Sequence, residues 1–386
     1  MTDKTTTPEV LVYYFPQYHR DARNDEWLTP GWTEWELVRT AKPRFDGHRQ
    51  PIVPTWGEFD EADPAWAARE IDLAADHGVT AFLYDWYWYD GAPFLHDGLE
   101  RGFLGAPNHE RLKFALMWAN HDWLELFPSP LPSERKTLAS GRVPADDFER
   151  LTDYVAEHYF TRGNYYAPEG AAYFSIFDLR NFIFGVGGLD EAAAALASFR
   201  EKARRAGFIG LHVNTHAQDV DRAVEALGLP SAAPLVEALG LSSVTAYHWV
   251  HHVDLEGTDA LTRPYQDAAR ANYAAWERYP QTLGLPYHPN VSMGWDVSPR
   301  THPDLPYEVI GYPWNQVLAD NTPEAFKDAL TRARDYAARN PAGHHVVTVN
   351  SWNEWTEGSY LLPDTVHGLA YLEAIAEVFK REVTLS

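Results

Sequence analysis

The stretch Val346-Val347-Thr348-Val349-Asn350-Ser351-Trp352-Asn353-Glu354-Trp355-Thr356-Glu357-Gly358 joins a short apolar run to two carboxylates that stand three positions apart beside tryptophans. The apolar run is typical of a buried parallel strand, and the polar residues follow where such a strand ends. Paired carboxylates beside aromatic side chains are the groups that cleavage of a glycosidic bond requires. The stretch therefore predicts a strand that opens into a polar, aromatic-walled site, with Glu354 and Glu357 as the catalytic pair.

Outward from this strand, further apolar runs alternate with helical patterns along the whole chain. The predicted strands are residues 10–15, 79–84, 113–118, 172–177, 208–213, 243–247, 289–293 and 345–349, most of them rich in β-branched or aromatic residues. Helices are predicted at residues 63–77, 145–160, 190–206, 220–227, 263–279, 322–339 and 366–380. Eight strands that alternate with helices favour an α/β fold, a (β/α)8 TIM barrel with extended βα loops.

A doubly wound open sheet is the alternative fold for the same order of elements. No G-x-G-x-x-G or P-loop pattern follows any predicted strand, so a nucleotide site has no support. No linker or internal repeat divides the chain, and we expect residues 1–386 to form one catalytic barrel domain. Residues 85–113 and residues 120–144, the latter with Pro128, Pro130 and Pro132, are expected to form loops that shape a cleft on the top face.

Composition restricts the classes of partner. The chain has 55 acidic residues against 32 Lys and Arg, so nucleic acid and anionic membranes are poor partners. It has no cysteine, which excludes disulfides, a thiol nucleophile and thiolate metal ligands. Residues 1–9 are polar and no run approaches the ~20 apolar residues of a membrane span, so we expect a soluble cytoplasmic protein without a signal peptide. The 15 Trp, 21 Tyr and 18 Phe suit a core and also a cleft in which sugar faces stack on rings.

Polar and aromatic residues follow every predicted strand. In a barrel of this kind the C-terminal strand ends surround the active site. A purely structural barrel has no need of a polar group at each strand end, so their accumulation indicates an enzyme that binds a polyhydroxylated ligand. The candidate substrate-binding residues are Tyr14, Gln17, His19, Asp85, Trp118, Asn120, Tyr247, His248, Trp295, Trp352 and Asn353, and other strand-end residues are Tyr87, His121, Asp122, Asp178, Arg180, Asn214 and His216.

The spacing of Glu354 and Glu357 has two interpretations. Cleavage of an acetal needs an acid that protonates the leaving oxygen and a carboxylate that acts as nucleophile or base. One of the two must stay protonated near neutral pH, through burial or through its negative neighbour. Both residues fit these roles. Alternatively, Glu354 is catalytic and Glu357 caps or forms a salt bridge with a following element.

The histidines raise the question of a metal site. Asp85, Asp122 and His248 could supply a carboxylate–histidine cluster, but no H-E-x-x-H or comparable ligand spacing occurs. His344 and His345 stand at the N-terminal end of their strand, away from the expected site. We therefore expect no metal and no cofactor. A serine nucleophile is also excluded, because no G-x-S-x-G elbow is present.

Both ends of the chain resemble one family. The motifs Tyr14-Phe15-Pro16-Gln17-Tyr18-His19, Asn24-Asp25-Glu26-Trp27 and Gly31-Trp32-Thr33-Glu34-Trp35 are similar to the opening of glycoside hydrolase family 99-like proteins. This is the WbsX-like group, often labelled as glycosyltransferases of polysaccharide biosynthesis. Residues 352–358 with Tyr360 and Pro363-Asp364 resemble the end of these proteins. The resemblance adds Trp32, Glu34 and Trp35 to the candidate substrate-binding residues.

The resemblance implies a barrel that acts on an α-linked sugar and retains its configuration by neighbouring-group participation. It assigns Glu354 as the base for the sugar 2-hydroxyl, which attacks C1 to give a 1,2-anhydro sugar. It assigns Glu357 as the acid for the departing oxygen and then as the base for water. Neither carboxylate attacks C1, so the two need not face each other across the sugar ring. The chain departs from the family at His121-Asp122, where Glu-Asn is frequent, and at Leu362, where an acidic residue is frequent.

The sequence therefore predicts a retaining glycoside hydrolase whose partner is an α-mannoside-like oligosaccharide or polysaccharide. Two other functions stay open. One is a glycosyltransferase or transglycosylase of polysaccharide assembly, although no D-x-D-like motif stands in a convincing loop. The other is a barrel that binds glycans without catalysis. No feature of the sequence indicates the linkage, endo or exo action, or an oligomeric state.

Overall fold

The computed structural model describes residues 7–129, 135–255, 259–339 and 345–380. Its centre is one sheet of eight parallel strands in the order β7-β8-β1-β2-β3-β4-β5-β6. The strands are β1 (Glu9–Tyr14), β2 (Ala81–Tyr89), β3 (Lys113–Trp118), β4 (Ala171–Ile176), β5 (Gly210–His216), β6 (Ser243–Thr245), β7 (Asn290–Ser292) and β8 (Val346–Asn350).

The sheet closes on itself next to β6. Val244 N donates to Pro286 O at 2.9 Å, and His288 N donates to Val244 O at 2.8 Å, which joins β6 to the segment that leads into β7. Closure removes the open edges that a doubly wound sheet would have. The predicted (β/α)8 barrel is confirmed, and all eight predicted strands are present.

Eleven α-helices lie in the described part of the chain, and most of them follow a barrel strand. The predicted helices correspond to α3 (Pro64–Asp76), α4 (Ala145–His158), α6 (Leu189–Arg205), α7 (Ala217–Ala226), α9 (Tyr265–Leu283), α10 (Pro323–Ala338) and α11 (Ala370–Phe379). Four helices of six to eight residues have too few turns for a periodic pattern and were not predicted: α1 (Ala22–Trp27), α2 (Trp35–Thr40), α5 (Leu179–Val186) and α8 (Ala233–Leu239).

No single helix among the described residues is long and apolar enough to cross a membrane. The helices α5 and α6 satisfy the length and composition criteria only when taken together, and they meet at a bend of 98°. A short π-helical turn, Gly98–Phe103, lies between β2 and β3.

The segment predicted as a loop from residue 85 begins as strand. β2 continues to Tyr89, and Ala92–Phe94 turns back to pair with it in antiparallel fashion. Every residue from Ala81 to Tyr89 is buried, because the extension is covered on both faces. The expectation of a loop at residues 85–89 is therefore wrong, and this strand extension carries Asp85 and Tyr87 above the barrel.

The loop predicted at residues 120–144 contains a small ribbon. Trp123–Leu124 pairs with Thr137–Ala139 in antiparallel fashion. Pro128 lies in the described chain, whereas Pro130 and Pro132 lie outside the described residues. Trp123 and Phe127 of this segment lie beside a cavity at the C-terminal end of the barrel.

Strand alternation decides which aromatic residues face the barrel interior. Successive side chains point to opposite faces of a sheet. Tyr13 points inward, with its hydroxyl 3.4 Å from Ala246 O and its ring 4.8 Å from the ring of Tyr247. Tyr14 points outward to α3, where its hydroxyl donates to Glu70 Oε2 at 3.0 Å. The same alternation holds at the top of the barrel and determines the composition of the site.

Glu70 joins α3 to two barrel strands. Besides Tyr14, it accepts a hydrogen bond of 3.0 Å from Trp352 Nε1, and its side chain is buried. Burial raises the pKa of Glu70 from 4.5 to about 8. Above about pH 4.5 the unfolded chain releases this proton, whereas the folded protein keeps it up to about pH 8.

We expect Glu70 to make the protein less stable as the pH rises through this window. The folded state binds more protons than the unfolded state, so rising pH favours unfolding, by at most about 1.4 kcal/mol per pH unit for this one group. The Glu70→Gln variant, which cannot ionise, should lose less stability than the parent between about pH 5.5 and about pH 7.5 in urea titrations. Parallel stability curves for the two proteins would contradict the assignment.

Candidate active site

Glu354 and Glu357 occupy a tight hairpin that follows β8. Asn353–Glu354 pairs with Ser359–Tyr360, and a single turn, Trp355–Glu357, connects them. Gly358 has φ 63°, and a Cβ at this position would lie 2.8 Å from the Cβ of Asp296. Only glycine therefore permits the close approach in which Asp296 N donates to Glu357 O at 2.6 Å. The hairpin places both carboxylates at the same end of the barrel.

Arg300 is the cation shared by these carboxylates. It follows β7, its side chain is 5% exposed, and it lies in a short turn, Ser298–Arg300. Arg300 Nη1 donates to Glu357 Oε1, and Nη2 lies 3.6 Å from Glu354 Oε1. Arg300 Nε donates to Glu34 Oε1 at 2.8 Å, and Thr356 Oγ1 donates to the same oxygen. One guanidinium thus contacts three buried carboxylates.

Two tyrosines complete the contacts of the pair. The Tyr312 hydroxyl donates to Glu357 Oε1 at 3.0 Å and accepts from Arg300 Nη1 at 2.9 Å. The Tyr247 hydroxyl, which follows β6, lies 2.9 Å from Glu354 Oε2 and 2.8 Å from Asp85 Oδ2. Asp85 thereby becomes a third carboxylate at the site, held on the inward face of β2.

Burial has the largest effect on the pKa values of Glu354, Asp85 and Glu34. Burial raises the pKa of Glu354 well above its ordinary value, the charge of Glu357 raises it further, and Arg300 opposes both. Burial raises the pKa of Asp85 well above its ordinary value as well, against the hydrogen bond from Tyr247. Burial also raises the pKa of Glu34, although Arg300 lowers it. One cation does not balance four buried carboxylates, so protonated carboxyl groups belong to the resting state of the site.

The carboxylates open into a cavity of about 780 Å³ at the C-terminal end of the barrel. This volume lies within the range of about 300–1,000 Å³ that small-molecule sites occupy. Aromatic rings form much of its wall, and the lining includes Phe15, Asp85, Tyr87, His121, Asp122, Trp123, Phe127, Phe177, Asp178, Asn181, Arg222, Tyr247, His251, Trp295, Arg300, Tyr312, Asn315, Glu354 and Glu357.

A family model described as glycosyltransferase WbsX matches residues 10–375. The chain belongs to this family. Two curated relatives from two strains of Xanthomonas campestris pv. campestris, both called uncharacterized protein WxcX, are 28% and 26% identical to it over 97% of its length. The alignment covers 50% of each relative, so the chain spans about half the length of the curated relatives it matches.

Solved structures share the barrel of this WbsX-family chain. An endo-alpha-mannosidase of glycoside hydrolase family 99 from Bacteroides thetaiotaomicron, solved with bis-tris-propane, has a TM-score of 0.58 at 14% identity, over 96% of this chain and 95% of that chain. A structure described as a glycoside hydrolase-like protein has a TM-score of 0.61 at 15% identity, over 97% and 94% of the two chains. The predicted resemblance to glycoside hydrolase family 99-like and WbsX-like proteins is therefore confirmed.

Five of the residues predicted for the site line the cavity of this WbsX-family barrel. The structure brings together Glu354, Glu357, Asp85, Tyr247 and Trp295 from the ends of β8, β2, β6 and β7. Trp295 is 6% exposed, and its ring lies 4.7 Å from the ring of His248.

Three predicted aromatic residues point away from the cavity. Tyr14 and Trp352 both donate to Glu70 on α3, and Trp118 packs on the rings of Phe148 and Phe182. Each occupies the outward position of its strand or strand end, so the expectation that these three bind substrate is not supported by their positions. Trp86 and Trp88 point outward in the same way and donate to Tyr159 and Asp147.

Three predicted polar residues bind backbone atoms instead of facing the cavity. Asn353 accepts from Phe15 N at 2.9 Å and donates to Phe15 O at 2.8 Å, which joins the hairpin of Glu354 and Glu357 to the residue after β1. Asn120 accepts from Asp178 N and donates to Asp178 O. His248 Nε2 forms a hydrogen bond of 2.7 Å with Gly294 O, and its Nδ1 accepts from Val250 N. These side chains position the loops of the site.

The N-terminal motif forms a layer beneath the cavity. His19 Nδ1 pairs with Glu61 Oε1 at 2.7 Å, and Trp35 Nε1 donates to Phe59 O. Gln17 is fully buried, and its backbone carbonyl accepts a hydrogen bond from Glu34 N. Trp32 packs 5.4 Å from the ring of Phe127. Gln17, His19, Trp32, Glu34 and Trp35 are not among the residues that line the cavity, and Glu34 contacts it through Arg300.

The geometry of the described residues does not support the metal site considered from the sequence. Among the described residues, no group of three or more His, Asp or Glu side chains is placed to hold a metal ion. In the cluster weighed from the sequence, Asp85 contacts Tyr247, His248 is bonded on both ring nitrogens, and Asp122 accepts from Gly141 N at 2.9 Å. The three side chains therefore serve separate parts of the structure.

Sequence reasoning missed Arg300 and Tyr312. Both lie in the long segment between β7 and α10, which carries few periodic signals. A buried arginine has no distinctive sequence pattern, and only the excess of buried carboxylates near Glu354 could have indicated that a cation was needed.

We expect the loss of stability on replacing Arg300 to depend on the presence of Glu34. The Arg300→Met variant leaves Glu34 buried without its cation, so the free energy of unfolding should fall by about 3–5 kcal/mol. Adding Glu34→Gln removes that uncompensated charge and should recover part of the loss, measured by urea unfolding at neutral pH. Simple additivity of the two single-variant losses would show that Glu34 and Arg300 are not coupled.

Proposed function

We propose that this protein is a retaining glycoside hydrolase that acts on an α-linked glycan, an α-mannoside or a related sugar with a free 2-hydroxyl. The observation that carries the proposal is the pair Glu354 and Glu357, held around one buried guanidinium on the wall of an aromatic cavity at the C-terminal end of a barrel. Membership of the WbsX family and the barrel shared with family 99 enzymes support a glycan as the ligand.

Glu354 is assigned as the base for the sugar 2-hydroxyl. A carboxylate whose pKa is raised by burial accepts a proton more readily than one in water, which suits it to a weakly acidic hydroxyl. Its contacts leave it short of full neutralisation, because Arg300 Nη2 lies 3.6 Å away and Tyr247 provides one hydrogen bond. The deprotonated 2-oxygen then attacks C1 and gives the 1,2-anhydro sugar.

Glu357 is assigned as the acid for the leaving oxygen. Arg300 and Tyr312 both bond to its Oε1, so neither of these contacts occupies Oε2. A proton on Oε2 can pass to the glycosidic oxygen, and Arg300 stabilises the carboxylate that remains. In the second half of the reaction the same carboxylate takes a proton from water as the water attacks C1.

The arrangement differs from that of a nucleophile and an acid. A direct nucleophile and its acid partner stand on opposite faces of the sugar ring, about 5–5.5 Å apart. Here both carboxylates project from one short hairpin and contact one guanidinium, and we infer that they approach the sugar from the same side. Participation of the 2-hydroxyl needs this kind of placement, since the attacking atom belongs to the substrate.

A glycosyltransferase or transglycosylase is the second candidate, favoured by the description of the family model. The same pair of carboxylates could activate an acceptor hydroxyl in place of water at C1. The chain covers about half of its curated relatives, so the activity of those longer proteins is a separate question.

Replacement of either carboxylate by its amide should abolish turnover. Glu354→Gln cannot accept the 2-hydroxyl proton and Glu357→Gln cannot donate one, so each should lose at least about 10²–10⁴-fold in kcat while the fold and glycan binding persist. A panel of α-linked oligosaccharides provides the assay, and Glu373→Gln on the exposed face of α11 is the matched control. Near-full activity in both site variants on a confirmed substrate would refute the proposal.

Product analysis separates hydrolysis from transfer. With a cleaved substrate in water, NMR should show initial release of the retained anomer, because two displacements occur at C1. Initial release of the inverted anomer would refute the anhydro-sugar route. Saturable binding of a nucleotide sugar, followed by transfer to an added saccharide without release of a reducing sugar, would establish the transferase instead.

A further inference from the structure

The Tyr247 hydroxyl lies between two carboxylates. Its oxygen is 2.8 Å from Asp85 Oδ2 and 2.9 Å from Glu354 Oε2. A phenol has one proton to donate, so it can satisfy only one of two ionised carboxylates. With both ionised, a lone pair of the second carboxylate would face a lone pair of the hydroxyl at hydrogen-bond distance. One carboxyl group therefore carries a proton and donates it to the Tyr247 oxygen.

The surroundings of Asp85 and Glu354 indicate which of these two carboxyl groups holds the proton. The guanidinium of Arg300 contacts Glu34, Glu354 and Glu357, and no cation pairs with Asp85 within the described ranges. Asp85 is 3% exposed, and its Oδ1 has no hydrogen-bond partner among the residues described. A charge on Asp85 would thus be buried with one shared hydrogen bond, which is the costlier arrangement.

We propose that Asp85 is a positioning residue that keeps a proton and donates it to Tyr247, so that Tyr247 donates to Glu354 and holds that carboxylate ionised and oriented for the substrate 2-hydroxyl. The inference rests on the proposed function, in which Glu357 carries the acid proton and does not repel Glu354. Hydrogen bonds then run in one direction, from Asp85 through Tyr247 to Glu354.

The proton of Asp85 stays in place through the reaction. In the first step Glu354 takes the 2-hydroxyl proton, O2 bonds to C1, the glycosidic bond breaks, and the leaving oxygen takes the proton of Glu357. In the second step water bonds to C1 and gives a proton to Glu357, the C1–O2 bond breaks, and O2 regains its proton from Glu354. Both glutamates return to their starting states without any change at Asp85 or Tyr247.

This arrangement predicts a dependence on pH. Burial raises the pKa of Asp85, and the groups that face it are Tyr13 from β1, Tyr87 from β2, Tyr247 after β6, Arg300 after β7, and Glu354 and Glu357 after β8. Above its raised pKa, Asp85 loses its proton and competes with Glu354 for the hydroxyl of Tyr247. Activity should therefore fall on the alkaline side as Asp85 ionises.

Infrared spectroscopy tests the protonation state without a substrate. Near neutral pH the parent should show a C=O stretch of a protonated carboxylic acid that Asp85→Asn lacks and that Tyr247→Phe shifts in frequency. Glu70→Gln is the matched control, because it removes the band of a different buried acid and leaves this one unchanged. Absence of an Asp85 band would show that Asp85 is ionised and would overturn the proposal.

Kinetics test the positioning role. The amide of Asp85→Asn donates to Tyr247 at every pH, so kcat/KM should fall less than about tenfold and its alkaline limb should move to higher pH, whereas Asp85→Ala should lose more. A loss in Asp85→Asn as large as that of Glu354→Gln, with an unmoved alkaline limb, would refute the role. If the parent cleaves no α-linked glycan, the proposed function fails while the infrared result still decides the state of Asp85.

Discussion

The contact of one buried guanidinium with three buried carboxylates is the constraint on which the site depends. Arg300 contacts Glu34, which comes from the N-terminal segment. It also contacts Glu354 and Glu357, which come from the hairpin after β8. Each carboxylate alone, or the cation alone, would be costly at this depth. Because the partners come from distant parts of the chain, the ion cluster forms only when the barrel is closed and the N-terminal segment has docked.

The position of Glu357 is fixed by a second set of bonds. Asp296 N donates to Glu357 O, and the Asp296 carboxylate accepts from Gln50 and contacts His48 at 2.8 Å. Burial acts to raise the pKa of Asp296, but the bonds with His48, Ser298 and Gln50 outweigh it and hold the pKa below its ordinary value. An ionised Asp296 and an Arg300 four residues later thus support Glu357 from its backbone and its side chain.

Most of the strands and helices could be predicted from the sequence, whereas the direction in which the strand-end side chains point could not. Apolar runs located all eight strands because buried parallel strands have a strong compositional signal, and the carboxylate pair stood out by its spacing. Strand positions read from a sequence carry an uncertainty of a residue or two, and a shift of one residue exchanges the two faces of a strand. The bounds of β3 were predicted correctly, but the bounds of a strand do not tell which of its residues face inward, so Tyr14, Trp118 and Trp352 were assigned to a cavity from which they point away. Arg300 could not be identified, since its role depends on burial beside groups distant in sequence.

The cavity wall divides into parts of different construction. The side formed by Glu354, Glu357, Asp85 and Arg300 is built from strand ends joined by buried ion pairs and hydrogen bonds. Another part includes Trp123 and Phe127, from the segment after β3 whose short ribbon pairs few residues. Phe127 also lies over the guanidinium of Arg300, 5.9 Å from its central carbon to the centre of the ring, and Ser129 N donates to Arg300 O at 2.7 Å. A change of length or sequence in this segment would therefore alter the shape of the cavity and the position of its cation together.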